Sequence, residues 1–188
     1  NLSYNQFIAS NITGRLNYKN LTLTGKSVAF NSLNGNVISD FKFYKSRNNI
    51  HKLFTQTNLE KLNIRNTFMT FNNFQQDFIT SEHIKGEASA QIQMQASWDD
   101  KFNFIAEDLS LKSHLIIEKG ELIRFNPLEN LSNFVSIEDL KEVRFSTLEN
   151  TIEIDNNIVK IPNMEIKSSA LSVFISGTHT FAQKIDYR

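Results

Sequence analysis

The chain has no cysteine among its 188 residues, so it holds no disulfide framework, no thiolate metal site and no cysteine nucleophile. Proline and glycine are also scarce, at two and six residues, and the glycines are scattered rather than gathered into a phosphate-cradling loop. No stretch of about eighteen apolar residues occurs, which excludes a membrane-spanning helix within this chain. Neither sign of charge prevails. The 20 basic residues balance 20 acidic ones with a pI near 7.1, so no long-range field points to nucleic acid, and no nucleic-acid partner is expected. The opening residues, NLSYNQFIAS, lack an initiator Met and the basic and apolar segments of an export signal. They lie inside an alternating pattern (Leu2, Tyr4), as do the last residues (Ile185, Tyr187), and the chain is therefore expected to be a piece of a longer protein.

What is abundant is phenylalanine, with 16 residues inside a hydrophobic share of 40%. The dominant apolar period is two, the mark of strands with one apolar face. Ile12, Gly14, Leu16 and Tyr18 alternate with polar residues, followed by Leu21 and Leu23, Val28 and Phe30, and Val37 to Phe43. Gly25, Asn34-Gly35 and Ser46 to Asn49 read as breaks, with Asn34-Gly35 as a hairpin signal. The alternation is cleanest from Lys85 to Trp98, where glutamines oppose Ala, Ile, Met and Trp; after a turn at Asp99-Asp100 it resumes over Leu109 to Lys119. Strands are further expected over Val143 to Ile154, Ile158 to Ile161, Met164 to Ile175 and Thr178 to Tyr187. The phase changes across Ser168-Ser169-Ala170, and a hairpin is expected at Gly177.

Two stretches break this period. Residues 50–79 place Ile64, Phe68, Phe71 and Phe74 or Phe78 at helical spacing, and Asn126-Pro127-Leu128-Glu129 has the cap chemistry of a helix start. Short helices are expected near 50–79 and 127–141. The fold class that follows is mainly β with a few short helices, a single domain over 1–188 built as a long, curved, antiparallel meander. Helices are too few to cover every apolar strand face, so the sheet must curl, pair with another sheet, or leave an apolar groove.

Catalytic chemistry is not written in the residues. His51, His83, His114 and His179 have no metal spacing, and no metal or cofactor is expected. The carboxylate pairs Asp99-Asp100, Glu107-Asp108 and Glu138-Asp139 fall at turns or helix starts, where they serve backbone N–H groups. Ser176 and His179 are separated by a glycine-containing turn signal with no acid nearby. The reading is non-enzymatic.

The second half resembles a known family. Gly120 with Leu122 and Phe125, then Pro127, Leu128 and Leu131, then Phe145 and Leu148 follow its order of elements. Next come Ile154, Asn156, Val159, Ile161, Pro162 and Met164, and the elements Ser168 to Leu171 and Gly177-Thr178-His179 with Phe181. This pattern over residues 85–188 resembles the C-terminal region of the AsmA-like proteins of Gram-negative bacteria, in particular those of the Bacteroidota, which are related to bridge-like lipid-transfer proteins. The resemblance implies a periplasmic envelope-biogenesis protein, anchored to the inner membrane by an N-terminal helix outside this chain. It implies a phospholipid or other envelope lipid as ligand, carried along an apolar β-groove, and envelope proteins as further partners. The groove candidates are Ile92, Met94, Ala96 and Trp98; Leu111, Leu115 and Ile117; Ile152 and Ile154; Val159, Ile161, Met164 and Ile166; and Leu171, Val173 and Ile175. The alternatives left open are a closed core of the same residues and a structural domain that docks outer-membrane assembly proteins.

Overall fold

Alternation of apolar and polar residues builds one antiparallel sheet. The computed structural model describes residues 1–75, 77, 79–125, 136, 141–169, 172–181 and 185–187. Its strands are β1 (Leu2–Tyr4), β2 (Phe7–Lys19), β3 (Thr22–Ser32), β4 (Gly35–Lys45), β5 (His51–Asn63), β6 (Ile84–Trp98), β7 (Ser110–Ile123), β8 (Glu142–Asp155), β9 (Ile158–Lys167), β10 (Ser172–Thr180) and β11 (Ile185–Tyr187). Each pairs only with its sequence neighbours, and β1 and β11 do not meet. The sheet is an open, eleven-stranded meander. The helix expected near 127–141 lies outside the described residues.

Asparagine chemistry makes the hairpins. Asn20-Leu21, Leu33-Asn34 and Asn156-Asn157 each take positive φ at both positions, the conformation that matches strand twist in a two-residue loop. The turn therefore sits one residue earlier than Asn34-Gly35 suggests: Gly35 already pairs with Ser32 as the first residue of β4. Leu21, expected in a strand, is a turn residue with φ 55°. Likewise Gly177 is no hairpin. It lies within β10 beside a register shift, opposite Ile161.

The helical expectation for 50–79 holds only in its middle. α1 spans Ile64–Thr70, capped by Asn63, whose Oδ1 accepts from the Asn66 N–H at 2.9 Å, and a turn with positive φ at Asn72, Asn73 and Phe74 follows. Residues 51–63 are instead strand β5. Its alternation was hidden because Thr55 and Thr57 occupy inward positions between Leu53 and Leu59, and threonine reads as polar although its branched Cβ suits a strand.

Two glycines are fixed by rings. Gly25 is the cross-strand partner of Phe41, and Gly120 of Phe145. A Cβ on Gly25 would lie 2.3 Å from the Phe41 ring and one on Gly120 would lie 1.9 Å from that of Phe145, so each ring lies over the bare backbone. Phe145 is 5% exposed and belongs to a small core with Leu62, Ile64, Ile84, Val143 and Leu148 at the end of the sheet where α1 sits.

The opposite face carries the charges. Lys26–Asp40, Lys112–Glu153, His114–Glu149 and Lys119–Glu87 pair at 2.7 to 3.0 Å, and Glu121 receives both Lys85 at 3.1 Å and Arg144 at 3.3 Å. The hydrogen bond from Lys85, helped by that from Arg144, holds the Glu121 carboxyl below its usual range.

Two predictions follow from this frame. Gly120→Ala should destabilise the chain by about 1–3 kcal/mol through overpacking against Phe145, and Gly25→Ala by less, because Phe41 is half-buried and can move; urea unfolding midpoints measure both. A carboxyl whose folded pKa is depressed contributes stability above its unfolded pKa and loses it as pH falls through the folded value. Acid should therefore weaken the protein below the ordinary glutamate range, and Glu121→Gln should flatten that part of the stability-against-pH curve.

Candidate functional site: an open apolar sheet face

Side chains alternate across a strand and cross-strand partners share a face, so the register assigns one face to a continuous apolar row. Leu16, Gly25, Phe41, Thr55, Met94, Leu111, Ile154, Val159 and His179 are successive partners from β2 to β10. A parallel row runs through Val28, Ser39, Thr57, Ile92, Ser113 and Ile152. A third carries Phe30, Val37, Leu59, Ala90, Leu115 and Asn150.

This brings most of the candidates together. Ile92, Met94, Ala96 and Trp98 from β6, Leu111, Leu115 and Ile117 from β7, and Ile152 and Ile154 from β8 all share this face. In β9, Val159 and Ile161 stay in phase with Met164 and Ile166 because Pro162 and Asn163 together oppose Ser176 alone, a bulge that absorbs one residue. The phase change expected across Ser168-Ser169-Ala170 falls between the end of β9 at Lys167 and the start of β10 at Ser172, and the bulge within β9 is a separate slip. Val173 and Ile175 are register partners of Ile166 and Met164, and Leu171 lies outside the described residues.

Exposure along the face is graded. It is buried at Ala96 (2%), Leu62 (5%), Ala90 (7%) and Leu148 (8%), half-buried at Ile92, Met94, Leu111, Ile152 and Ile154, and open at β2, where Leu16 is 66% exposed. Total accessible area is 12,408 Å², against about 9,200 Å² for a compact monomer of this mass. Among the described residues no second layer of strands packs against this face.

Aromatic clusters frame the two ends of the face. At one end His51 stacks on Phe102 with ring centres 4.2 Å apart and on Phe43 at 5.8 Å, while Trp98 meets Phe43 at 6.4 Å and Phe104 at 6.0 Å. At the other, Phe7 meets Phe30 and Phe71, each at 6.2 Å, and Phe74 meets Phe71 at 5.8 Å and Phe68 at 5.1 Å. Much of the phenylalanine excess is placed here.

Sequence reasoning missed two parts of this face. Leu53, Leu59 and Leu62 were hidden in the stretch read as helical. A hydroxyl band was missed as well: Ser39 and Thr57 hydrogen-bond each other at 2.7 Å within the second row, with Ser113 two strands away. Asn150, buried at 9%, donates to the Pro162 carbonyl at 3.4 Å, tying β8 to β9 where their ladder is paired only at 153–155 with 158–160 and at Phe145 with Ser168.

The titratable groups fall elsewhere or apart. His114 is on the polar face with Glu149, and His83 Nδ1 lies 3.2 Å from the Thr80 N–H. Ser176 and His179, three apart in one strand, fall on opposite faces. Among the described residues no three His, Asp or Glu side chains gather as a metal site, and no helix is long and apolar enough to cross a membrane.

The gradient of exposure sets a contrast that urea unfolding can check. Met94→Asp should leave a cooperative fold at a cost of about 1 kcal/mol, because its carboxylate can reach water. Leu148→Asp should cost at least about 3 kcal/mol, because it buries an unpaired charge. Equal losses at the two positions would mean that the face is a closed core after all.

No protein-family model, curated protein or solved structure matches this chain.

Proposed function

We propose that the chain is a non-enzymatic, lipid-handling segment of an envelope-biogenesis protein. The observation that carries this reading is the row from Leu16 through Met94 and Ile154 to Val159, exposed at Leu16 and half-buried at the other three, a face continuous across the strands and left uncovered by any second layer among the described residues. Acyl chains laid on it would contribute about 0.8 kcal/mol for each methylene removed from water. The cluster at one end, with Trp98 and His51, is an amphipathic boundary of the kind these rings form between apolar and wet regions. The resemblance to the AsmA-like proteins supports a periplasmic location, an inner-membrane anchor outside this chain, and movement of phospholipid between the two membranes. A second reading, a domain that docks envelope proteins, is favoured by the edge of β2, which β1 covers only from Phe7 to Ala9 and which exposes Ile12 and Tyr18 beyond.

Organic extraction and mass spectrometry of the purified chain test the first reading. Phospholipid should copurify and exchange with labelled phospholipid vesicles, and Ile92→Asp with Met94→Asp should abolish both while circular dichroism stays that of the parent. A folded parent chain that neither carries nor exchanges lipid would overturn it.

A further inference from the structure

The face opposite the apolar one has features that ion pairing does not use. Two depressions of about 500 and 540 Å³ open on it and share Asp40, Gln56, Gln93 and Lys112, so they form one trough across β4 to β7. Its floor is a grid of side-chain amides set by register: Gln56 opposite Gln93, Asn58 opposite Gln91, and Gln95 opposite Phe54. Such partners are about 5 Å apart across strands and about 7 Å apart along them. None of these amides has a hydrogen-bond partner among the described residues, and Gln56, Asn58, Gln91 and Gln93 are exposed. At one end of the trough Phe54, 37% exposed, lies nearly parallel to Tyr44 with ring centres 6.1 Å apart and planes 3° apart.

Charge decides what this surface suits. The ionic groups around the trough are already paired, Lys26 with Asp40, Lys112 with Glu153 and His114 with Glu149, and Lys42 lies 5.0 Å over the Tyr44 ring. An ionic ligand would compete with these partners. Primary amides both donate and accept, which complements hydroxyl groups that do the same. An aromatic face carries negative quadrupole charge and attracts the weakly positive C–H face of a ring. Free amides beside an exposed aromatic plate, with the neighbouring charges satisfied, are complementary to an uncharged, hydroxyl-rich ring polymer.

We propose that the trough centred on Gln56 and Gln93, with Phe54 as its stacking plate, binds an uncharged oligosaccharide. The site lies on the opposite side of the sheet from the acyl-chain face and does not depend on that reading. Amide NMR of the 188-residue chain tests it, with cellohexaose, maltohexaose and chitohexaose added to millimolar concentration and an unstructured Gly-Ser peptide as the probe without rings. At least one sugar should shift the side-chain amide signals of Gln56, Gln93 and Gln95 saturably. Phe54→Ala should weaken that binding about fivefold, the loss of one aromatic contact, and Gln93→Ala about as much, while Glu165→Gln on the same sheet leaves it unchanged. Absence of a saturable shift with every sugar, an equal response to the peptide, or binding indifferent to Phe54→Ala would overturn the proposal.

Discussion

The structure depends on keeping apolar residues on one face through ten successive hairpin or loop connections. A strand has a side-chain period of two, so a single extra residue sends everything after it to the other side of the sheet. Several strands contain such a residue, and each extra residue is absorbed by a bulge. In β3 the inward positions pass from Leu23 and Gly25 to Val28 and Phe30, and Lys26 and Ser27 together oppose Asp40, with Ser27 at φ 49°. In β5 they pass from Leu59 to Leu62 across Lys61 at φ 52°, and in β7 from Ile117 to Gly120 and Leu122 across Lys119 at φ 52°. Polar residues take the left-handed conformation at these points, and the apolar rows continue unbroken.

The bulges also organise the polar face. At the bulge in β3, Asp40 accepts from the Ser27 N–H at 2.7 Å and pairs with Lys26, so the local break in the ladder is closed by a side chain. At the bulge in β7, Lys119 turns to Glu87 on β6. At these bulges charges are thus paired with one another across neighbouring strands. Their individual contribution is small at such exposure. Around Gln56 and Gln93 the neighbouring charges have partners of their own, and among the described residues the side-chain amides do not.

The apolar side has the reverse character. α1 and Phe145 pack at one end, rings frame both, and among the described residues no second layer lies between. A sheet of this width has more apolar surface than one seven-residue helix can shield. What remains exposed among the described residues is an extended apolar strip.

The sequence by itself determined the secondary-structure class, the meander order and the membership of the apolar face in β6, β7 and β8, because alternation is a local property and Ile92, Met94, Leu111 and Ile154 obey it without interruption. It misread places where the local pattern was ambiguous: Thr55 and Thr57 hid a strand, Gly25 and Gly177 looked like turns, and the phase slip at Pro162 looked like an end. Only the tertiary structure decided that this slip is a bulge, that rings from Phe41 and Phe145 lie over glycines on neighbouring strands, and that the sheet stays open. The physical reason is that a phase slip in one strand has two solutions, a turn or a bulge, and the choice is made by hydrogen bonds to a partner strand that a single sequence does not specify.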